Sequence, residues 1–428
     1  MGYKMNSFSL HLRAFGSFLF ALVIALPIHA EPSPNPPPDL ATAIDEVTFV
    51  ETSRPGIRLS GYVDAGYTYN FISRTGGLAI TSRAYANDTA PGGHFSLNAV
   101  KLVLEKPLPG ENRLAAGFRV DLMMGEDAAS LGQNLGGSDS LYLQQAMVLI
   151  RLPYGNGIDL SVGKYQSLIG YESEDRPDNI NITPGITTAA DPGWLMGGFA
   201  SYHFNDSVEL ALGVANGNGV DGIGLNPAGA DHVAVTGFVH FTSPGGNAEW
   251  QTGFYVAPKN DPGFTNARDT PAFRAGNLAI WNTFGNWKPK FAKDKLLLAF
   301  NTSVAGFADQ RFTDGTLPAN GGSTLFGVAL YAKYQVTDII SLAGRAEYVH
   351  TDNDRFLQIS GPNFDPGSSL DLYTWTGTLG FALAENLLLR FEYRADWGNN
   401  VVATGATGGG GAFGDVAHTF ASQIVFGF

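Results

Sequence analysis

Few side chains in this sequence stand at spacings that support covalent chemistry. Gly217, Gly219 and Gly222 satisfy G-x-G-x-x-G, which cradles a pyrophosphate where a strand feeds a helix. The residues that follow, 223–229 (IGLNPAG), cannot open such a helix, so the motif reads as a glycine-rich loop. The eight histidines include no H-E-x-x-H pair, and His203, His232 and His240 read as polar wall groups. Asp352, Asn353 and Asp354 lack the glycine and distal glutamate of a calcium loop. There is no G-x-S-x-G elbow and no cysteine to act as nucleophile, disulfide partner or soft metal ligand. The sequence therefore predicts no enzyme, no catalytic residue, no cofactor and no metal site.

A different kind of chemistry is open to the charged side chains. The segment 168–193 carries Glu172, Glu174, Asp175 and Asp178 together with Arg176, while Arg58, Arg119, Arg345, Arg390 and Arg394 recur on alternating segments elsewhere. Carboxylates facing guanidinium groups across water would set up a transverse field that orients polar solutes and discriminates between ions. The competing reading is a solvated acidic loop beside wall charges that pair across neighbouring strands. Both readings require elements that hold these groups around a common space.

Those elements are legible as alternation. In 57–71 one face reads Ile57, Leu59, Gly61, Val63, Ala65, Tyr67, Tyr69 and Phe71, and the other carries Arg58, Ser60, Asp64, Thr68 and Asn70. About sixteen such segments follow one another, at 57–71, 95–106, 113–124, 141–152, 157–167, 194–204, 207–216, 231–242, 247–257, 276–286, 295–307, 324–336, 339–350, 370–383, 387–397 and 416–428. They run about 10–14 residues, twice the usual globular strand. Their connections alternate between short turns and long stretches rich in Gly, Asn, Asp and Pro. These features predict an all-β fold, a transmembrane antiparallel up-and-down barrel over 56–428, whose closure leaves no backbone group unpaired in lipid. About sixteen strands enclose an aqueous lumen rather than one filled by side chains. One irregularity is expected: Lys164 falls on the lipid face if Ile158, Leu160 and Val162 point outward, so a bulge or register shift is predicted near Gly163.

Composition agrees. Charged residues make up 15% of the 428 residues, against about 25% in soluble proteins, and mean hydropathy is only −0.01. After the N-terminus no apolar run reaches the ~18 residues of a membrane helix. The net charge of −13 and the absence of a basic run argue against nucleic acid as a partner. Residues 1–30 read as a signal peptide, with Lys4 and Arg13 around an apolar run and cleavage expected after Ala30. Residues 31–55 begin EPSPNPPP and read as a proline-rich periplasmic segment.

The segments LSGYVDAGYTYNF (59–71), FSLNAVKLVLEKPL (95–108), GFRVDLMMGED (117–127) and LQQAMVLIRLPYGNGIDLSVGKYQSLIGYE (143–172) resemble the OmpL-like outer-membrane porins, the second of the beta-barrel porin families. The resemblance extends over nearly the whole mature chain and implies a channel in the outer membrane of a diderm bacterium. It also makes Phe428, which closes an alternating strand, similar to the terminal signal read by the outer-membrane assembly machinery. The function expected is passive diffusion of small hydrophilic solutes or ions, with 168–193 as the constriction, and partners are outer-membrane lipid, the assembly machinery and, by likeness to other porins, two further copies in a homotrimer. The alternatives are an occluded structural or adhesive barrel and an outer-membrane lipid hydrolase.

Overall fold

In the computed structural model the described residues are 50–51, 56–71, 92–131, 141–216, 233–257, 273–274, 278–307, 311–312, 323–352, 369–398 and 416–428. The expected signal peptide (1–30), most of the segment 31–55, the glycines at 217–222, His232, Asn353 and Asp354 lie outside them. Sixteen long strands follow in order: β1 (Arg58–Asn70), β2 (Gly92–Lys106), β3 (Ala115–Met124), β4 (Leu141–Leu152), β5 (Ile158–Gln166), β6 (Trp194–Asn205), β7 (Val208–Asn216), β8 (Val233–Thr242), β9 (Ala248–Ala257), β10 (Leu278–Trp287), β11 (Leu296–Phe307), β12 (Ser323–Gln335), β13 (Ile340–Asp352), β14 (Leu370–Ala384), β15 (Leu387–Gly398) and β16 (Val416–Gly427). Each pairs antiparallel with the next, and β16 returns to β1 in register from Thr419 opposite Asn70 to Gly427 opposite Tyr62. The sheet is therefore closed, with no open edge among these strands.

Every strand predicted from alternation is present, with ends shifted by three residues at most. Short turns join β1's starting rim all the way round, and polar side chains hold them. In the β6–β7 turn, for example, Asn205 Oδ1 accepts the Ser207 N–H at 2.8 Å. The last strand meets the first on the same rim, where the Gly61 and Phe428 backbones exchange two hydrogen bonds of 2.9 Å. A β-carbon at Gly61 would strike the Lys101 carbonyl and sit 2.9 Å from the Phe428 ring, so only glycine admits the terminal residue to the seam. Arg113, expected on a strand, lies in the preceding turn and pairs with Glu111 at 2.7 Å.

The burial pattern is inverted relative to a soluble protein. Phe95, Val162, Val148, Leu212, Phe204 and Trp281 are exposed on the outer wall, while Asp64, Asp121, Arg345, Glu347, Arg394 and Asp396 are buried inside it. An apolar outer face is what hydrocarbon requires, and charge is tolerated only where it faces a lumen or a partner. Rings near strand ends stack along the outside, with Phe241 on Trp250 at 5.3 Å and Tyr373 on Trp397 at 5.9 Å.

Two of the four register shifts among the described strands turn an extra side chain into the lumen. Register shifts between Asp64 and Ala65 on β1 and between Asp121 and Leu122 on β3 turn one extra residue inward on each partner, Asn98 and Gln144. The bulge or register shift expected near Gly163 is absent, since β5 stays in continuous register with both β4 and β6; a change of backbone conformation takes its place. Gly163 has φ +140°, and Lys164 is buried with its Nζ 2.6 Å from the Leu143 carbonyl and 4.3 Å from the centre of the Tyr142 ring. The ammonium thus avoids lipid without a slip of the β4–β5 register.

Candidate functional site: a loop across the lumen

The connection between β5 and β6, residues 167–193, leaves the wall and crosses the barrel interior; it is called L3 below. Its two stems depart together, the Ser167 N–H donating to the Gly193 carbonyl at 3.0 Å. Gly170, at φ +107°, turns the first stem inward and donates its N–H to Asn282 Oδ1 on β10 at 3.2 Å. Gln251 on β9 donates to the Leu168 carbonyl at 2.9 Å. The Tyr171 ring then packs between Phe284 and Tyr331 at 5.5 and 4.9 Å.

From 176 to 190 the loop has only two short 3₁₀ turns, Arg176–Asp178 and Ile186–Ala190, so most of its backbone groups need partners from elsewhere. Charged wall side chains supply them. Arg390 donates to the carbonyls of Asn179 (2.6 Å) and Arg176 (2.8 Å), and Arg394 to that of Pro184 (2.6 Å). Glu392 accepts the N–H groups of Ile182 (2.6 Å) and Thr183 (3.0 Å), and Glu347 that of Thr187 (3.2 Å). Arg345 reaches both the Thr183 carbonyl (2.7 Å) and Glu172 Oε1 (2.8 Å). Ion pairs to the loop's own side chains complete the fastening. Arg176 forms a two-pronged bond with Asp127 at 2.6 and 2.8 Å, and Asp175 accepts from Lys101 and, at 2.7 Å, from the Tyr62 hydroxyl.

Asp127 belongs to a short helix, Glu126–Leu131, that follows β3, and this helix also turns into the lumen and buries Ala128 against Met123 and Tyr142. Toward the long-loop half of the wall the contact is mainly apolar. Ile169 and Ile186 sink among Tyr165, Leu195, Ala234, Tyr255, Ile280, Leu325, Val349 and Leu372, all facing inward from the long-loop half of the wall.

The loop acids named from the sequence thus have distinct surroundings. Glu172 is bound by Arg345, by the Tyr331 hydroxyl (3.0 Å) and by the Gly185 N–H (2.5 Å). Glu174 receives Gln144 at 3.1 Å, and Asp175 is buried beside Lys101. Asp178 alone of the four is exposed, at the edge of a cavity of about 250 Å³ beneath L3 that Tyr171, Asn179, Glu249, Lys333 and Arg390 also line. Among the wall arginines, Arg345, Arg390 and Arg394 grip the loop. Arg119 pairs within the wall with Asp121 (2.8 Å) and Glu105 (3.5 Å), and Arg58 sits exposed at the short-turn end of β1, opposite Glu105.

Sequence reasoning missed Asp127, Asp191, Tyr62 and Gln144. Asp127 follows Gly125, a turn signal at a strand end, but nothing local says that the turn folds inward. Gln144 is hidden because a bulge is needed to aim it.

A family model described as "Putative beta-barrel porin-2, OmpL-like" matches residues 56–428. No curated protein is similar enough to count as a match. Among solved structures, the chain is similar to OmpT of Vibrio cholerae in its trimer form, at 12% identity over 87% of this chain and 99% of that one, with a TM-score of 0.56. It is also similar to the outer membrane channel DcaP of Acinetobacter baumannii (9% identity, 88% and 99% covered, TM-score 0.54) and to an anion-selective porin from Comamonas acidovorans (12%, 87% and 99%, TM-score 0.52). At these identities the likeness is one of fold.

Proposed function

Because the chain belongs to the OmpL-like beta-barrel porins, we propose that it forms a water-filled outer-membrane channel for passive diffusion of small hydrophilic solutes, with L3 as its constriction. The observation that carries this reading is the closed sixteen-strand wall with charge inside and apolar side chains outside, crossed by one fastened loop. No bond is made or broken; a solute is sorted by aperture, by the charges it passes and by the water it must shed. Of the acids assigned to the constriction, Asp178 is the one in contact with the open cavity, while Glu172, Glu174 and Asp175 shape the aperture by holding L3. Arg345, Arg390 and Arg394 act on solutes through the loop they grip, and Arg58 and Arg119 belong to the wall on the short-turn side.

The reading places the protein in the outer membrane after removal of residues 1–30, with Phe428 as the signal for barrel assembly and three copies as its working form. A lipid hydrolase would need a nucleophile beside a histidine on the outer wall. There His350 faces Asp371 (2.9 Å) and Asp352 (3.3 Å) through its two ring nitrogens, rather than a serine. The deciding experiment is single-channel current through the refolded mature chain in a planar bilayer under a salt gradient. Discrete ohmic steps are expected; silence from folded, heat-modifiable protein would favour an occluded barrel.

A further inference from the structure

L3 is closed at its neck by two acidic side chains that cross over. Glu174, on the outgoing stem, lies against Gly193 of the returning stem, where a β-carbon would collide with its Oε1. Asp191, on the returning stem, lies against Gly170 of the outgoing one, where a β-carbon would stand 3.3 Å from its Oδ2. We propose that Glu174 and Asp191 are positioning residues of the constriction, a carboxyl zipper across the neck of L3 that sets how far the loop reaches into the lumen and loosens when both groups ionise. The link to aperture rests on the channel reading above.

The surroundings of each carboxyl disfavour charge. Asp191 accepts one hydrogen bond, from Ser303 on β11 at 2.9 Å, and its Oδ2 is buried with no hydrogen-bond partner. Ser303 is in turn tied to Asn282 of β10, which bonds Asn301 of β11, so this wall presents amides and a hydroxyl but no cation. The charged neighbour of Asp191 is Glu172, another acid, and burial with that repulsion pushes its carboxyl up to about 7. Glu174 faces Gln144 of β4, Asp175 of its own loop, Lys164 of β5 and Lys101 of β2. Burial outweighs the two lysines and pushes it, too, up to about 7. Lys101 is already shared between Asp175 and, at 3.2 Å, Asp121, which limits what it offers a third carboxylate.

Both shifts have the same sign. A carboxyl raised in the closed neck binds its proton more tightly there than in a released loop, where its ordinary value is about 4. Closure is therefore fully favoured below about pH 4, and the advantage is lost as pH rises through about 7. With two groups acting together, the ratio of released to fastened loop rises about tenfold or more between about pH 5 and about pH 8.

The chain contains no cysteine, so Asp178→Cys provides one attachment point for a spin label on L3. The labelled full-length mature barrel, folded in vesicles, is read at both pH values for the mobile fraction of the label, and the unlabelled barrel, with Asp178 intact, is read in bilayers for single-channel conductance. The mobile-to-immobile ratio and the conductance should rise together with pH, and Glu174→Gln with Asp191→Asn, which keep shape without charge, should flatten both. An unchanged label spectrum, or a double variant that titrates like the parent, overturns the proposal. If the double variant does not fold, each single variant should remove part of the pH dependence, and one that removes none refutes its residue. A label that titrates in a barrel passing no current at any pH supports the neck and removes the channel reading; current through a barrel whose label never responds does the reverse.

Discussion

L3 is held by charge from β13, β15 and β2 and, toward the long-loop half of β6 to β14, mainly by apolar packing. On β13 and β15, and through Lys101 on β2, guanidinium, ammonium and carboxylate groups grip backbone and side chains at 2.5–3.2 Å or closer. On the long-loop half of β6 to β14, Ile169 and Ile186 rest among alanines, leucines and tyrosines with no polar contact of their own side chains. The difference teaches how a segment without regular structure can be fixed inside a water-accessible lumen. Directional charged bonds specify which backbone atoms meet which wall residues, at the cost of desolvating the ions. Apolar contact adds attraction that tolerates small shifts and does not respond to pH.

The largest effect is expected where one cation serves several partners. Arg345→Met leaves Glu172 and Glu347 buried without their guanidinium, a loss of about 3–5 kcal/mol in the fastening of L3. Hydrogen exchange at the Thr183 and Gly185 amides should then quicken by roughly 10²-fold or more while the strand amides stay protected. Ile186→Ala tests the apolar packing. It should cost about 2–4 kcal/mol through the cavity it leaves, and exchange measured across pH should show the same penalty throughout, unlike the neck acids. If instead the Ile186 variant proves neutral, the charged contacts alone hold the loop. The smallest structural effect belongs to Asp178→Asn, which should change stability by less than about 0.5 kcal/mol because the side chain is exposed. Its reversal potential in a salt gradient should nonetheless move toward anions; no movement would remove Asp178 from the conducting path.

Strand positions were legible because a lipid-facing wall enforces strict alternation over a dozen residues, and each strand carries that signal independently. Leu387, Leu389, Phe391, Tyr393 and Trp397 can face only outward once Arg390, Glu392, Arg394 and Asp396 are seen between them. The acids and arginines of the site were legible as types, and Glu172 with Arg345 does form a loop-to-wall pair. Their mode of action was not. An arginine on a strand looks the same in sequence whether it faces open water or a loop carbonyl 160 residues or more away, as Arg394 faces Pro184.

By itself, then, the sequence determined the barrel, its strand number and which face meets lipid, because these follow from short-range periodicity imposed by the solvent on either side of the wall. Only the tertiary structure decided that L3 and the helix Glu126–Leu131 turn inward, that Asn98 and Gln144 bulge to meet acids, and that Glu174 and Asp191 cross the neck. Those outcomes depend on backbone groups and charges brought together from opposite sides of a closed cylinder. Their energy appears only once closure has removed the water that would otherwise have satisfied them.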